Sequence, residues 1–208
     1  MRRAGLLLLF AMAACAQMTQ PPPPPPPADL VAGAADPTRA AIMAVAAAFA
    51  DRGENLAGRP AAAAQAAAQL EFIVEDLPRN PRWSAMPDSV QLDLLLARTE
   101  LRDALGVAET AAPDVVIEAL LRTARALRAG DRAAAAAALP APLFRPGGAR
   151  SVARLGELGP LPQVANATAL AAQTVELFDL GGNLSSTQLP ERTGGIGNIT
   201  IPGNPAGY

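Results

Sequence analysis

The sequence predicts an all-α protein, a small helical bundle or short helical-hairpin solenoid of five to seven helices, with disordered ends. Three observations predict it. Alanine, the strongest intrinsic helix former, makes up nearly a quarter of the 208 residues. Apolar residues recur every three to four positions in one segment after another, with Pro or Gly at the breaks. No stretch before the extreme C-terminus alternates apolar and polar residues as a half-buried strand would.

The first helix is expected over residues 38–51, with Ile42, Ala46 and Phe49 at helical spacing. The second is expected over 59–77. Pro60 suits its first turn, and Ala63, Ala66, Leu70, Ile73 and Leu77 share a face. The third is expected over 88–105, with Val90, Leu94, Ala97, Leu101 and Leu105 inward and Gly106 as its stop. The fourth is expected over 113–129, where Ile117, Leu120, Leu121, Ala124 and Leu127 form the apolar face and Gly130 ends it. A short helix follows over 131–139, stopped by Pro140 and Pro142. Residues 151–158 offer another turn or two. The last helix is expected over 162–180, with Val164, Thr168, Ala171, Val175 and Phe178 on one side.

Both ends differ from this body. Residues 1–14 read as a secretory signal: a basic start at Arg2 and Arg3, then an apolar run over 4–14. That run is too short for a stable transmembrane helix, which needs ~20 apolar residues. Met12-Ala13-Ala14-Cys15, with the chain's only cysteine, resembles the lipobox of bacterial lipoproteins, although Met12 stands where Leu is usual. The resemblance implies cleavage before Cys15, a diacylglycerol thioether on its sulfur, and acylation of its new amino group. Ala16 in place of Asp implies the outer membrane, facing the periplasm, rather than inner-membrane retention. The alternative is ordinary cleavage at Ala14-Cys15-Ala16 or Ala11-Met12-Ala13, which would release a soluble periplasmic or secreted protein.

Residues 15–37 then form a spacer. Its core is an unbroken proline run over 21–27, a polyproline II rod of roughly 22 Å at ~3.1 Å per residue. A proline-reading partner domain is the other use for such a tract. Residues 181–208 are rich in Gly, Asn, Pro, Ser and Thr and are expected to be a disordered tail. The β-prone stretch Ile196-Gly197-Asn198-Ile199-Thr200-Ile201 within it could add to a partner's sheet edge.

Composition excludes many functions. The 17 basic residues are all arginine, against 19 carboxylates, and there is no His. Removal of Arg2 and Arg3 with the signal leaves 15 against 19, a net charge of −4. That argues against nucleic acid, which wants a basic patch. A His-dependent triad, a Lys Schiff base, a Walker lysine and a His or Cys zinc site have no residues to build them. No cofactor or metal is expected, and a folded body must rest on apolar packing without a disulfide.

Three places could still carry function. Arg122, Arg125 and Arg128, with Arg132 after them, form a basic stripe on the fourth helix. They could meet a lipid phosphate or another envelope anion. They could equally be a solvated face, since Glu118 sits four residues before Arg122. The proline-stiffened loop over 78–87 carries Arg79, Arg82 and Trp83, a combination that suits an interaction hot spot or a sugar-stacking platform. Trp83 could instead plug the end of a helix pair. The carboxylates Asp93, Glu100 and Asp103 alternate with Arg98 and Arg102 and read as a charged face rather than a hydrolytic pair. Asn166, Asn183 and Asn198 match a glycosylation acceptor pattern that has no meaning beside a bacterial lipobox.

One echo joins Ala57-Gly58-Arg59-Pro60-Ala61 to Ala129-Gly130-Asp131-Arg132-Ala133, each a Gly turn before an Ala-rich helix. It looks faintly like the units of tetratricopeptide-type solenoids, without that family's aromatic positions. The functional expectation is a non-catalytic, lipid-anchored periplasmic module that scaffolds or adapts other envelope components. The alternative is a lipoprotein that binds a small ligand or glycan. A hydrolase resting on carboxylates alone comes third.

Overall fold

Proline and aspartate set the helix starts. The computed structural model describes residues 25–181. Within them run α1 (Pro37–Phe49), α2 (Pro60–Asp76), α3 (Asp88–Leu105), α4 (Pro113–Arg128), α5 (Arg132–Ala137), α6 (Gly148–Gly156) and α7 (Pro162–Leu180). Proline opens α1, α2, α4 and α7, where its missing N–H costs nothing. The Asp36 carboxylate accepts from Arg39 N at 3.0 Å to cap α1, and Asp131 accepts from Ala134 N at 2.8 Å to cap α5. Gly106 ends α3 at φ +71°, a left-handed conformation that favours glycine. The described residues contain no strand, only a lone antiparallel bridge between Val107 and Phe144.

α2 is the centre of the bundle. It packs against α1, α3, α4 and α6, and Ala63, Ala64, Ala66, Ala67 and Ala68 are buried nearly all round it. Alanine explains why this works. A methyl lets several neighbouring helices come close, while Leu70, Ile73 and Val74 supply bulk toward one end. α7 closes the other side by packing on α1 and α3. The expected inward residues of α3 are the five buried there, and all five expected on α2 are buried too. Ala46, Leu127 and Phe178 are only partly buried, at the ends or margins of their faces.

Two short 3-10 turns, Glu54–Leu56 and Pro81–Trp83, lie in what the sequence presented as loops. The echo between the segments at 57 and 129 is not a structural repeat. The first opens a 17-residue helix and the second a helix of 6 residues.

Residues 28–36, read from the sequence as spacer, belong to the folded body. Leu30 is fully buried. Its carbonyl accepts from Gln65 Nε2 at 2.7 Å and Gln69 Nε2 at 2.9 Å, and Gln65 also donates to the Asp29 carbonyl at 3.0 Å. Two glutamines one turn apart on an alanine helix thus bind the incoming backbone, and a large leucine fills space that alanines leave. Pro25, Pro26 and Pro27 close a cleft of about 430 Å³ against Phe72, Pro113 and Ile117. Cys15 and most of the proline run precede the described residues, and the tail with Ile196, Asn183 and Asn198 follows them.

Candidate functional site

The loop carrying Trp83 is a structural plug. Trp83 is fully buried, and its indole Nε1 has no hydrogen-bond partner among the described residues. It therefore offers no face to a ligand, so of the two readings of this loop the plug fits the structure and the stacking platform does not. The reason is composition: a core short of aromatic residues takes the one tryptophan inward. Its neighbours serve the same joint. Arg82 Nε lies 2.8 Å from Asp36 Oδ2, and Arg79 pairs with Glu75 in the last turn of α2.

The arginine stripe divides into two groups. Arg125 bonds Asp29 at 2.7 Å and Glu118 at 3.1 Å, tying α4 to the docked entry segment. Arg122 sits 3.8 Å from Glu118, the intrahelical pair its spacing suggested. Arg128 turns the other way and donates to Gln65 Oε1 at 2.7 Å. With Arg59 and Arg132 it borders an open groove of about 1240 Å³ along the first two-thirds of α2. Alanines of α1, α2 and α6 form its walls, and Glu157 is the one carboxylate among the described residues that line it.

The carboxylates of α3 do not converge. Glu100 Oε2 accepts from Val164 N at 2.9 Å and so caps α7 from a neighbouring helix. Asp103 is exposed and Asp93 partly so. The two arginines between them face α2. Arg102 grips the almost wholly buried Glu71 through two parallel bonds, Nε to Oε1 at 2.6 Å and Nη2 to Oε2 at 2.7 Å, and donates to the Ala111 carbonyl at 3.2 Å. Arg98 approaches Glu75 at 3.9 Å. Burial holds the Arg98 guanidinium below its usual value. Glu71 pulls the other way, and the Arg102 charge adds to the lowering. No group of three or more His, Cys, Asp or Glu among the described residues could hold a metal ion.

The feature the sequence reading missed is apolar and exposed. Leu92, Leu95 and Leu96 on α3 and Leu170, Leu177 and Leu180 on α7 are between 39% and 86% exposed. Helical geometry brings all of them except Leu95 to one side of the molecule. The Glu100–Val164 bond joins α3 to the start of α7. Asp179, near the end of α7, pairs with Arg39, and Asp36 pairs with Arg82 just before α3, so the two helices run antiparallel. At ~1.5 Å per residue, Leu96 comes level with about Thr168 and Leu92 with about Ala172, with Leu170 between them.

Rotation agrees with height. Residues on a helix turn ~100° each, so Leu170 and Leu177 share a side and Asp179 points away from it. Asp179 reaches α1, which leaves the two leucines on the flank bordering α3. Leu96 stands one turn before Glu100, on the flank bordering α7, and Leu92, one turn before Leu96, points outward beside it, whereas Leu95 shares the side of Arg102, which faces α2. The signal was legible as Leu94-Leu95-Leu96, a run too wide for one buried stripe.

No protein-family model matches the chain, and no curated protein or solved structure matches it. No helix among the described residues is long and apolar enough to cross a membrane.

Proposed function

We propose that this protein is a non-catalytic, lipid-anchored adaptor of the bacterial cell envelope, tethered to the outer membrane through Cys15 and facing the periplasm. The leucine face of α3 and α7 supports the adaptor role. Its five leucines, Leu92, Leu96, Leu170, Leu177 and Leu180, leave roughly three leucines' worth of side chain in water, ~4–9 kcal/mol of burial at ~1.5–3 kcal/mol each. Contiguous exposed apolar surface of that kind marks an interaction site. The lipobox resemblance at Cys15 supports the tether, and the proline run after it supplies the reach.

Two measurements test this reading. Membrane fractionation and mass spectrometry of the mature N-terminus should find an acylated Cys15, and Cys15→Ser should move the protein to the soluble fraction. A photo-crosslinking residue at Thr99 or Gln173, beside the leucines, should capture a protein in living cells, whereas one at the exposed Arg150 on α6 should not. A soluble wild type would sink the tether. No crosslink from the leucine face would sink the adaptor.

A second reading, an anion- or glycan-binding lipoprotein, draws on the groove with Arg59, Arg128 and Arg132. Calorimetry with a carboxylate-bearing glycan fragment tests it. Binding that Arg128→Ala and Arg132→Ala abolish would favour it over the adaptor.

A further inference from the structure

We infer that the leucine face of α3 and α7 docks a basic amphipathic helix of a partner protein. This rests on the adaptor reading and names the partner's chemistry. The shape comes first. Two antiparallel helices present a shallow valley between their ridges, and Leu96, Leu170, Leu92 and Leu177 follow one another along it over ~13 Å. That length meets the i, i+3, i+4 and i+7 anchors of a docked helix.

Charge selects the occupant. Asp88, Asp103 and Glu176 are exposed around these leucines and Asp93 is partly exposed. None of the four has an ion pair among the described residues. Arg39 on α1 acts on Glu176 through space and Arg79 lines a cleft with Asp88, while among the described residues no cation pairs with Asp93 or Asp103. Arg98 and Arg102 turn to Glu75 and Glu71 on α2, and α7 contains no basic residue. The face is therefore a leucine patch with an acidic rim.

A second copy of this chain would bring two such rims together, and like charges across an interface are disfavoured. A bilayer surface bearing anionic lipid would repel the rim in the same way. An apolar helix flanked by Lys or Arg satisfies the leucines and the carboxylates at once.

The test uses the full lipidated protein in neutral detergent and two labelled 18-residue peptides. One carries Leu and Ala at i, i+3, i+4 and i+7 with Lys elsewhere. The other has every Lys replaced by Glu. Fluorescence anisotropy should show the Lys peptide binding at least tenfold more tightly than the Glu peptide. Leu96→Gln with Leu177→Gln should weaken it at least tenfold, and Asp93→Asn with Glu176→Gln at least threefold. These side chains are at the surface, so circular dichroism should find every variant folded.

Equal binding of both peptides, or indifference to the leucine and carboxylate variants, overturns the inference. So does an absence of binding to either peptide, or leucine-dependent binding to phosphatidylglycerol vesicles. The adaptor reading falls separately, if the crosslinker beside the leucines captures no protein. A crosslinked segment rich in Asp and Glu would refute the basic helix and leave the adaptor standing.

Discussion

Replacing Glu71 by Met exposes how far the bundle depends on one ion pair. Glu71 sits on the central helix with almost no solvent contact, and among the described residues its one charged partner in bonding range is Arg102, held at 2.6 and 2.7 Å. Removing the carboxylate leaves Arg102 buried beside Arg98, whose charge burial already disfavours. Breaking a buried pair on one side costs ~3–5 kcal/mol. Arg102 keeps a little solvent access and its bond to the Ala111 carbonyl, so the low end applies, about 3 kcal/mol. For a body of this size that lowers the midpoint of thermal unfolding by ~6–12 °C.

The sharper measurement is a double-mutant cycle in urea. Glu71→Met with Arg102→Met removes both charges and fills the space with apolar atoms, which is often nearly neutral. The double variant should be more stable than Glu71→Met alone by at least ~1 kcal/mol. A single variant that loses under ~1 kcal/mol, or a double variant less stable than the single one, would refute the reasoning.

Other expectations follow from the same packing. Trp83→Ala should cost ~3–5 kcal/mol in urea unfolding. Trp83→Phe should cost less than half of that, because the indole Nε1 has no hydrogen bond to lose among the described residues. Gly106→Ala would place a methyl 2.1 Å from the Arg145 carbonyl oxygen at φ +71°, and should cost at least ~2 kcal/mol. Gly130→Ala keeps the left-handed strain at φ +76° but meets no atom, so thermal melts should show a loss of only ~1 kcal/mol. Cys15→Ser should leave the melt unchanged while releasing the protein from membranes, as read by fractionation and far-UV circular dichroism.

The helices were legible because their signals are local. A proline at the first turn, a left-handed glycine at the end of α3 and apolar residues at helical spacing act within one helix and its neighbouring turns. The third and last helices therefore fall at the residues expected, and the other ends differ by a few positions at most. Residues 28–36 were not legible as folded. What holds them is a pair of glutamine side chains some 35 positions away, and a polar residue on an alanine helix announces no partner.

The candidate site divides in the same way. Sequence determined the chemistry on offer: arginine as the only strong base, no imidazole, one thiol, and a bundle built from alanine. Tertiary structure decided which side chains stay available. It buried Trp83 and paired Arg79, Arg82, Arg122 and Arg125 with carboxylates. It also brought leucines some 80 positions apart onto one surface. A helix has a definite pattern of faces from its sequence alone. Which face meets a neighbour and which meets water is settled only when the other helices have taken their places, because burial belongs to the assembly and to no single segment.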